Sequence, residues 1–218
     1  MERAPDAVAT AFRTLLPPDV AVATAAVSAR TEGLLPAEAA AATGMAPLRR
    51  AGFAAGRHCA RRALHDLGAE PVAIPVGPAR APRFPPGFCG SITHAGGIAA
   101  AAVRRGGAPL GIDLEEAADL PDEVFDRVCA VPEAVVAPAG LGAGLWGRVV
   151  FSAKESVYKC LAPAVGRFID FAEVRVASVT GNRIVVAPAT DAPDLAPVTG
   201  IEVRFGLREG LVLTAAWR

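Results

Sequence analysis

The chain has 218 residues, 52% of them hydrophobic and 20% charged, which is enough apolar mass for a core and too little charge for a disordered chain. Its 22 basic and 22 acidic residues cancel, so no global field draws it to a nucleic acid or a membrane surface, and an anion must be met by local clusters. Cys59, Cys89, Cys129 and Cys160 form no CxxC pair and have no histidine at a zinc spacing, which argues against structural zinc and for free thiols in a cytoplasmic protein.

In chain order, Val20–Ala29 is apolar enough to suggest a signal segment, but Glu2, Asp6 and Asp19 make the residues before it acidic, so secretion is not expected. Leu48–Leu67 is the clearest helix of the first half, with Phe53, Ala60, Leu64 and Leu67 at helical spacing and Gly68 as its stop. Strands are expected near Val72–Val76, Phe88–Ile92, Ile98–Val103 and Leu110–Leu114. The second half opens with helical sequence at Asp122–Val128 and Pro132–Val136. The stretch Ala134–Gly147 is free of charge but broken by Pro138 and four glycines, too short to span a bilayer. A helix is then predicted from Ser152 to just before Pro163, followed by strands at Val174–Val179, Arg183–Ala187, Ile201–Leu207 and Leu211–Trp217. Arg208-Glu209-Gly210 joins the last two as a hairpin, so these strands are antiparallel. Helical sequence followed by strands, twice over, predicts an α+β fold built from a duplicated unit.

Four segments carry chemistry. In Leu110-Gly111-Ile112-Asp113-Leu114-Glu115 the apolar residues alternate, so Asp113 and Glu115 project from one side of a strand. Two adjacent carboxylates repel unless a cation sits between them, and magnesium suits oxygen donors; a solvated strand end would have the same pattern. Phe151-Ser152-Ala153-Lys154-Glu155-Ser156-Val157-Tyr158-Lys159 adds a third carboxylate. Here Ser152 and Glu155 fit an S-x-x-E capping box, and Glu155 with Lys159 an i, i+4 ion pair. The chain has twenty arginines and only two lysines, Lys154 and Lys159, so both ammonium groups fall in this one motif, which favours a functional use of them. On the first helix Arg50, Arg57 and Arg61 fall along one line with Arg49 on its flank, either a phosphate clamp or a solvated face. Gly90-Ser91-Ile92-Thr93-His94-Ala95-Gly96-Gly97 places a hydroxyl and an imidazole where a strand breaks into a glycine-rich turn. His58 and His65 belong to the helix face and read as structural or solvent-facing.

Together, Arg57-His58-Cys59-Ala60-Arg61, Gly90–His94, Gly111–Glu115 and Phe151–Lys159 resemble, in order and spacing, the 4'-phosphopantetheinyl transferases of the single-chain type that activates siderophore, nonribosomal peptide and polyketide synthases. The resemblance covers roughly residues 48 to 170. It implies an α+β fold of two pseudo-symmetric halves, each a helix with a small antiparallel sheet, the active site lying at their interface. The halves are expected at residues 1–112, on the nucleotide side of coenzyme A, and 113–218, with the metal and the catalytic helix.

By the same resemblance Asp113, Glu115 and Glu155 bind Mg2+, while Arg49, Arg57, Thr93, His94 and Lys159 hold the nucleotide and pyrophosphate. Phe168 lies where relatives often carry an aromatic beside the pantetheine arm. Relatives often have a lysine where Val76 stands, and Arg80 is the candidate to replace it. The implied reaction moves 4'-phosphopantetheine from coenzyme A to a serine of an apo acyl or peptidyl carrier protein, with Lys159 and His94 stabilising the leaving side. Glu155 is the first candidate base and Glu133 the second, although Pro132-Glu133 also reads as a helix start. The family favours a monomer. Competing readings are a magnesium-dependent nucleotide phosphohydrolase and a non-catalytic coenzyme A-binding module.

Overall fold

The computed structural model describes residues 3–28, 33–77, 80–129 and 137–218. Helix α1 (Pro5–Leu15) starts with proline at its first turn and Asp6 at the positive end of its dipole, and buries Val8, Ala9, Phe12 and Leu15 along one stripe. Pro17 and Pro18 forbid its continuation, and the valine-alanine run after them forms strand β1 (Ala21–Ala26) instead of extending a helical first stretch. Two helices follow, α2 (Pro36–Ala41) and α3 (Pro47–Asp66), the second within a residue of its predicted bounds.

Strands β2 (Phe88–Ala95) and β3 (Ile98–Arg105) form a hairpin whose turn residues, Gly96 and Gly97, both have positive φ (55° and 80°), the conformation that a two-residue hairpin loop needs. With β1 they make a three-stranded antiparallel sheet in the order β1-β3-β2. Strand β4 (Leu110–Glu116) opens a second, five-stranded sheet in the order β4-β8-β7-β6-β5, with β5 at Val174–Thr180, β6 at Arg183–Pro188, β7 at Glu202–Arg208 and β8 at Leu211–Trp217. Between β4 and β5 lie α4 (Asp122–Val128) and the long α5 (Ala143–Val165). The change of sheet falls in the 106–109 turn, so β4 belongs whole to the second half and the expected 112/113 division would cut it.

Three apolar clusters hold these layers together. Ala99, Ala101 and Val103 of β3 pack on Cys59, Ala63 and Leu64 of α3, while Ile98, Ala100 and Ala102 of the same strand face the opposite way. There they meet Val8 and Phe12 of α1, Leu110, Ile112 and Leu114 of β4, and Leu211 and Leu213 of β8. The third cluster seats α5 on the second sheet through Val149, Val150, Val157 and Leu161. Each half is therefore a long helix on an antiparallel sheet, and α1 with β4 and β8 joins them.

Two expected elements come out differently. Residues 72–76 form no strand, only a single bridge from Val76 to Pro82. Pro71 and Pro75 remove ladder donors, and the Ile74 backbone is held by side chains instead: its N–H donates to Glu38 Oε1 at 2.9 Å and its carbonyl accepts from Arg57 Nε at 3.0 Å. Helix α5 begins at Ala143 rather than Ser152 and runs through Pro163 to a left-handed cap at Gly166 (φ 72°). Its early glycines are contact points: a Cβ on Gly144 would come within 2.5 Å of Asp119, so packing decides here over propensity. The predicted helix at Pro132–Val136 lies outside the described residues. Among the described residues no helix is long and apolar enough to cross a membrane.

Candidate active site

The acidic strand is not a solvated end. Leu110, Ile112 and Leu114 enter the central core, and Gly111, Asp113 and Glu115 face α5. A Cβ on Gly111 would stand 2.6 Å from the backbone nitrogen of Cys160, so glycine here lets strand and helix backbones touch and fixes their register. Asp113 is only 4% exposed. Its Oδ1 accepts from Lys159 Nζ at 2.6 Å and from Thr93 Oγ1 at 3.2 Å, and its Oδ2 from Ser152 Oγ at 2.8 Å. Thr214 of β8 supports Ser152 in turn, its hydroxyl donating to the Ser152 carbonyl at 2.8 Å. The carboxylate thus receives donors from β2 in the first half and α5 in the second.

Glu115 is half-buried and accepts from Arg148 at 3.2 Å. Its carboxyl is pushed up to about 7, first by burial and then by Asp113, against the opposing pull of Arg148 and Lys159. Glu155 is shifted upward as well, by burial and then by Asp113, with Lys159 opposing. The three carboxylates therefore share one electrostatic neighbourhood, with Lys159 among them.

Neither local explanation of the FSAKES motif survives. Ser152 is in the middle of α5, not at a cap, and its hydroxyl serves Asp113. Lys159 pairs with Asp113 rather than with Glu155. The two lysines also part company, although their rarity marked both for a functional use. Lys154 is 3% exposed and turns to the opposite side, donating to the carbonyls of Val128 at 2.7 Å and Phe171 at 3.0 Å, so it ties the end of α4 to the turn before β5.

On the first half, Thr93 and His94 lie on β2 itself, which runs to Ala95, not in a loop after it. Ser91 and Thr93 face β4, where the Ser91 hydroxyl accepts from the Ile112 N–H at 3.0 Å. Ile92 and His94 face α3, whose Gly52 and Gly56 leave notches for them. A Cβ on Gly52 would meet the His94 ring at 3.0 Å, and one on Gly56 would meet Ile92 at 2.6 Å. The His94 pKa is held below the usual histidine value by desolvation, then by Lys159 and Arg49, with Asp113 pulling the other way.

Two cavities flank this arrangement. One, of about 230 Å³, is lined by Arg49, Phe53, Arg57, Val76, Arg80 and His94, together with Ala41 and Met45. The other, of about 360 Å³, is lined by Arg80, Ser91, Ile92, Tyr158, Lys159, Pro163 and Phe168 with their neighbours. Arg80 belongs to both. Its φ of +63°, unusual for a residue with a side chain, is backbone strain concentrated where the cavities meet.

The arginine row divides. Arg57 is buried over the Phe53 ring at 4.0 Å, and burial lowers its pKa to about 10, so it lines the first cavity while bracing Ile74. Arg61 is committed to the fully buried Glu38 at 2.6 Å and Arg50 is absent from the lining, so a clamp of all three does not form. His58 and His65 are exposed on the helix surface, and Glu133 lies outside the described residues. Sequence reasoning missed Thr214, Gly52 and the service of Ser152 to Asp113. A signal for the last was present: Ser152, Glu155, Ser156 and Lys159 form a polar stripe at i, i+3, i+4 and i+7 on a helix otherwise largely apolar.

Among the described residues no three carboxylate, imidazole or thiol groups converge into a ready-made metal cage. The donor chemistry nevertheless fits a hard cation. Asp113, Glu115 and Glu155 offer only oxygens, burial and then the neighbouring Asp113 raise the pKa values of Glu115 and Glu155, and Mg2+ commonly takes one or two carboxylates and fills its remaining positions with water and phosphate oxygens.

Comparison with known proteins agrees with this division of the chain. Residues 37–104 match the 4'-phosphopantetheinyl transferase N-terminal domain and residues 109–215 the 4'-phosphopantetheinyl transferase superfamily, the gap falling at the change of sheet. The chain is 40% identical over 181 residues to 4'-phosphopantetheinyl transferase Svp of Streptomyces mobaraensis, covering 78% of this chain and 72% of that one. It is 36% identical over 177 residues to 4'-phosphopantetheinyl transferase PptT of Mycobacterium tuberculosis, covering 77% and 78%. Enterobactin synthase component D of Escherichia coli is 33% identical over 135 residues, covering 61% and 63%. With both halves matched and relatives aligned over most of their length, the chain belongs to the 4'-phosphopantetheinyl transferase family.

Proposed function

We propose that the cleft between the two sheets binds coenzyme A and carries out the transfer with the residues described above. As a phosphopantetheinyl transferase, the protein moves the 4'-phosphopantetheine group of coenzyme A to a serine of a carrier protein and releases adenosine 3',5'-bisphosphate. The nucleotide and its 3'-phosphate are assigned to the cavity of Arg49, Arg57 and His94, and the pantetheine arm to the cavity of Tyr158 and Phe168. The pyrophosphate lies between, where Arg80 stands in for the lysine absent at Val76. The observation that carries this reading is Asp113, a buried carboxylate gripped by Thr93 from one half and by Lys159 and Ser152 from the other, beside both cavities.

Phosphoryl transfer depends mainly on positioning and charge neutralisation. Mg2+ held by Asp113, Glu115 and Glu155 would supply Lewis-acid neutralisation of the pyrophosphate. Lys159 and Thr93 hold Asp113 in place, and the Lys159 ammonium also faces charge that develops on the departing bisphosphate. His94, neutral in the free protein, gains a proton as the polyanion arrives and then donates to it. Glu155 is the base: its raised pKa suits it to take the proton of the carrier serine as that oxygen bonds to phosphorus and the bond to the bisphosphate oxygen breaks. Glu133 is the second candidate. Acceptors are proposed to be apo acyl or peptidyl carrier domains of siderophore, nonribosomal peptide and polyketide synthases, the siderophore class supported by the likeness to an enterobactin synthase component. The protein is proposed to act as a cytoplasmic monomer, and four cysteines with no disulfide among them support that compartment.

The test is mass spectrometry of an apo carrier protein incubated with coenzyme A, Mg2+ and the enzyme. A gain of one phosphopantetheinyl group on the carrier serine is the expected result. Release of the bisphosphate with no carrier present would overturn this reading in favour of a nucleotide hydrolase.

A further inference from the structure

Phe168 is a large apolar side chain 54% exposed to solvent, yet it is held in place. It follows α5 in a short loop, next to Ile169, which is anchored in the core at 4% exposure. Its ring meets Tyr158 edge-on at 5.3 Å, and together they line the second cavity with Arg80 and Lys159.

What fixes the loop is Arg167. Its guanidinium forms a two-pronged pair with Glu173, at 2.9 and 2.8 Å, while Nε donates to Asp194 at 2.6 Å. One of the same nitrogens donates to the carbonyl of Phe168 at 2.8 Å. Glu173 Oε2 also accepts from the Asp170 N–H at 2.8 Å, closing the loop on itself. Four hydrogen bonds of one planar fork thus reach three segments: its own loop, the turn ending at Glu173 and the turn containing Asp194. A lone exposed ion pair contributes little, but this fork engages two carboxylates and a carbonyl at once, in a geometry that lysine cannot reproduce.

We infer that Arg167 is a positioning residue that, through its bracket to Glu173 and Asp194, holds Phe168 as the fixed wall of the cavity for the apolar arm of the substrate. The inference rests on reading that cavity as the pantetheine site. Preorganising the wall removes an ordering cost that binding would otherwise meet, so the effect falls on ligands that carry the arm and spares those that lack it.

The experiment is equilibrium binding of coenzyme A and of adenosine 3',5'-bisphosphate, which lacks the arm, to the wild type, Arg167→Gln, Asp194→Asn, Phe168→Ala and the Arg167→Gln/Phe168→Ala pair. Arg167→Gln is expected to weaken coenzyme A about five- to tenfold and leave the bisphosphate unchanged. Asp194→Asn, a milder change at the same fork, moves coenzyme A in the same direction, and Arg167→Gln adds nothing once Phe168 is alanine. Equal losses for both ligands, additive losses in the pair, or no loss with Arg167→Gln would overturn the inference, as would a wild type that binds the two ligands equally well. A wild type that binds neither ligand would instead overturn the assignment of the cleft to coenzyme A.

Discussion

In both halves a long helix lies close against a strand, and glycine permits the approach, but it sits on opposite partners. In the first half Gly52 and Gly56 are on α3, so strand side chains, His94 among them, drop into notches in the helix. In the second half Gly111 is on β4, so the helix backbone itself rests on the strand. The first arrangement clamps a side chain that can still yield, whereas the second fixes the register of two backbones. That difference suits the roles proposed for them: a histidine and arginines to meet a flexible polyanion on one side, and an acidic group whose geometry must not drift on the other.

The largest expected effect is at the point where the halves meet. Asp113→Asn removes the charge that Lys159 and Ser152 serve, and carrier modification should fall by about 10³-fold or more with the far-ultraviolet circular dichroism intact. Gly111→Ala forces a methyl group into the backbone of α5 and should cost about 3 kcal/mol in urea unfolding, with activity lost alongside. Gly52→Ala presses on a histidine ring rather than a backbone, so its stability cost should stay below about 1 kcal/mol while affinity for coenzyme A declines. Equal costs at the two glycines would break the comparison.

The lysines sharpen it within α5. Lys154→Met should lower unfolding stability by about 2 kcal/mol through the loss of donors to the Val128 and Phe171 carbonyls, and Lys159→Met should chiefly lower turnover. The smallest effect is on pH dependence. Because the Glu115 pKa is raised from 4.5 to about 7 in the folded protein, its contribution to metal-free stability is fully present below 4.5 and is lost as pH rises toward 7. Mg2+, which needs the carboxylate form, should bind more tightly over the same rise, and Glu115→Gln should flatten both profiles in titrations followed by calorimetry.

Much of this was legible in the residues. Alternation in Leu110–Glu115 placed the carboxylates on one side, and periodicity placed α3 nearly to the residue. The strand expected at 72–76 fails for a local reason, Pro71 and Pro75, but most other misses share one physical cause, that partners distant in sequence set the outcome. The S-x-x-E spacing suggests a cap only if the helix starts there, and α5 starts earlier because its glycines meet Asp119 and Phe125. Rarity marked both lysines, but only the direction each faces separates a structural tie from a site residue. Thr214 carries no local signal at all; it matters because β8 pairs with β4 opposite Asp113.

The central claim is that cations of the first half and carboxylates of the second serve one bound molecule. It is tested most directly by titrating Mn2+, a spin-active substitute for Mg2+, by electron paramagnetic resonance with and without coenzyme A. Tighter Mn2+ binding in the presence of coenzyme A, lost in Asp113→Asn and reduced in Arg80→Gly, is the predicted result. Mn2+ binding indifferent to coenzyme A in the wild type would contradict it.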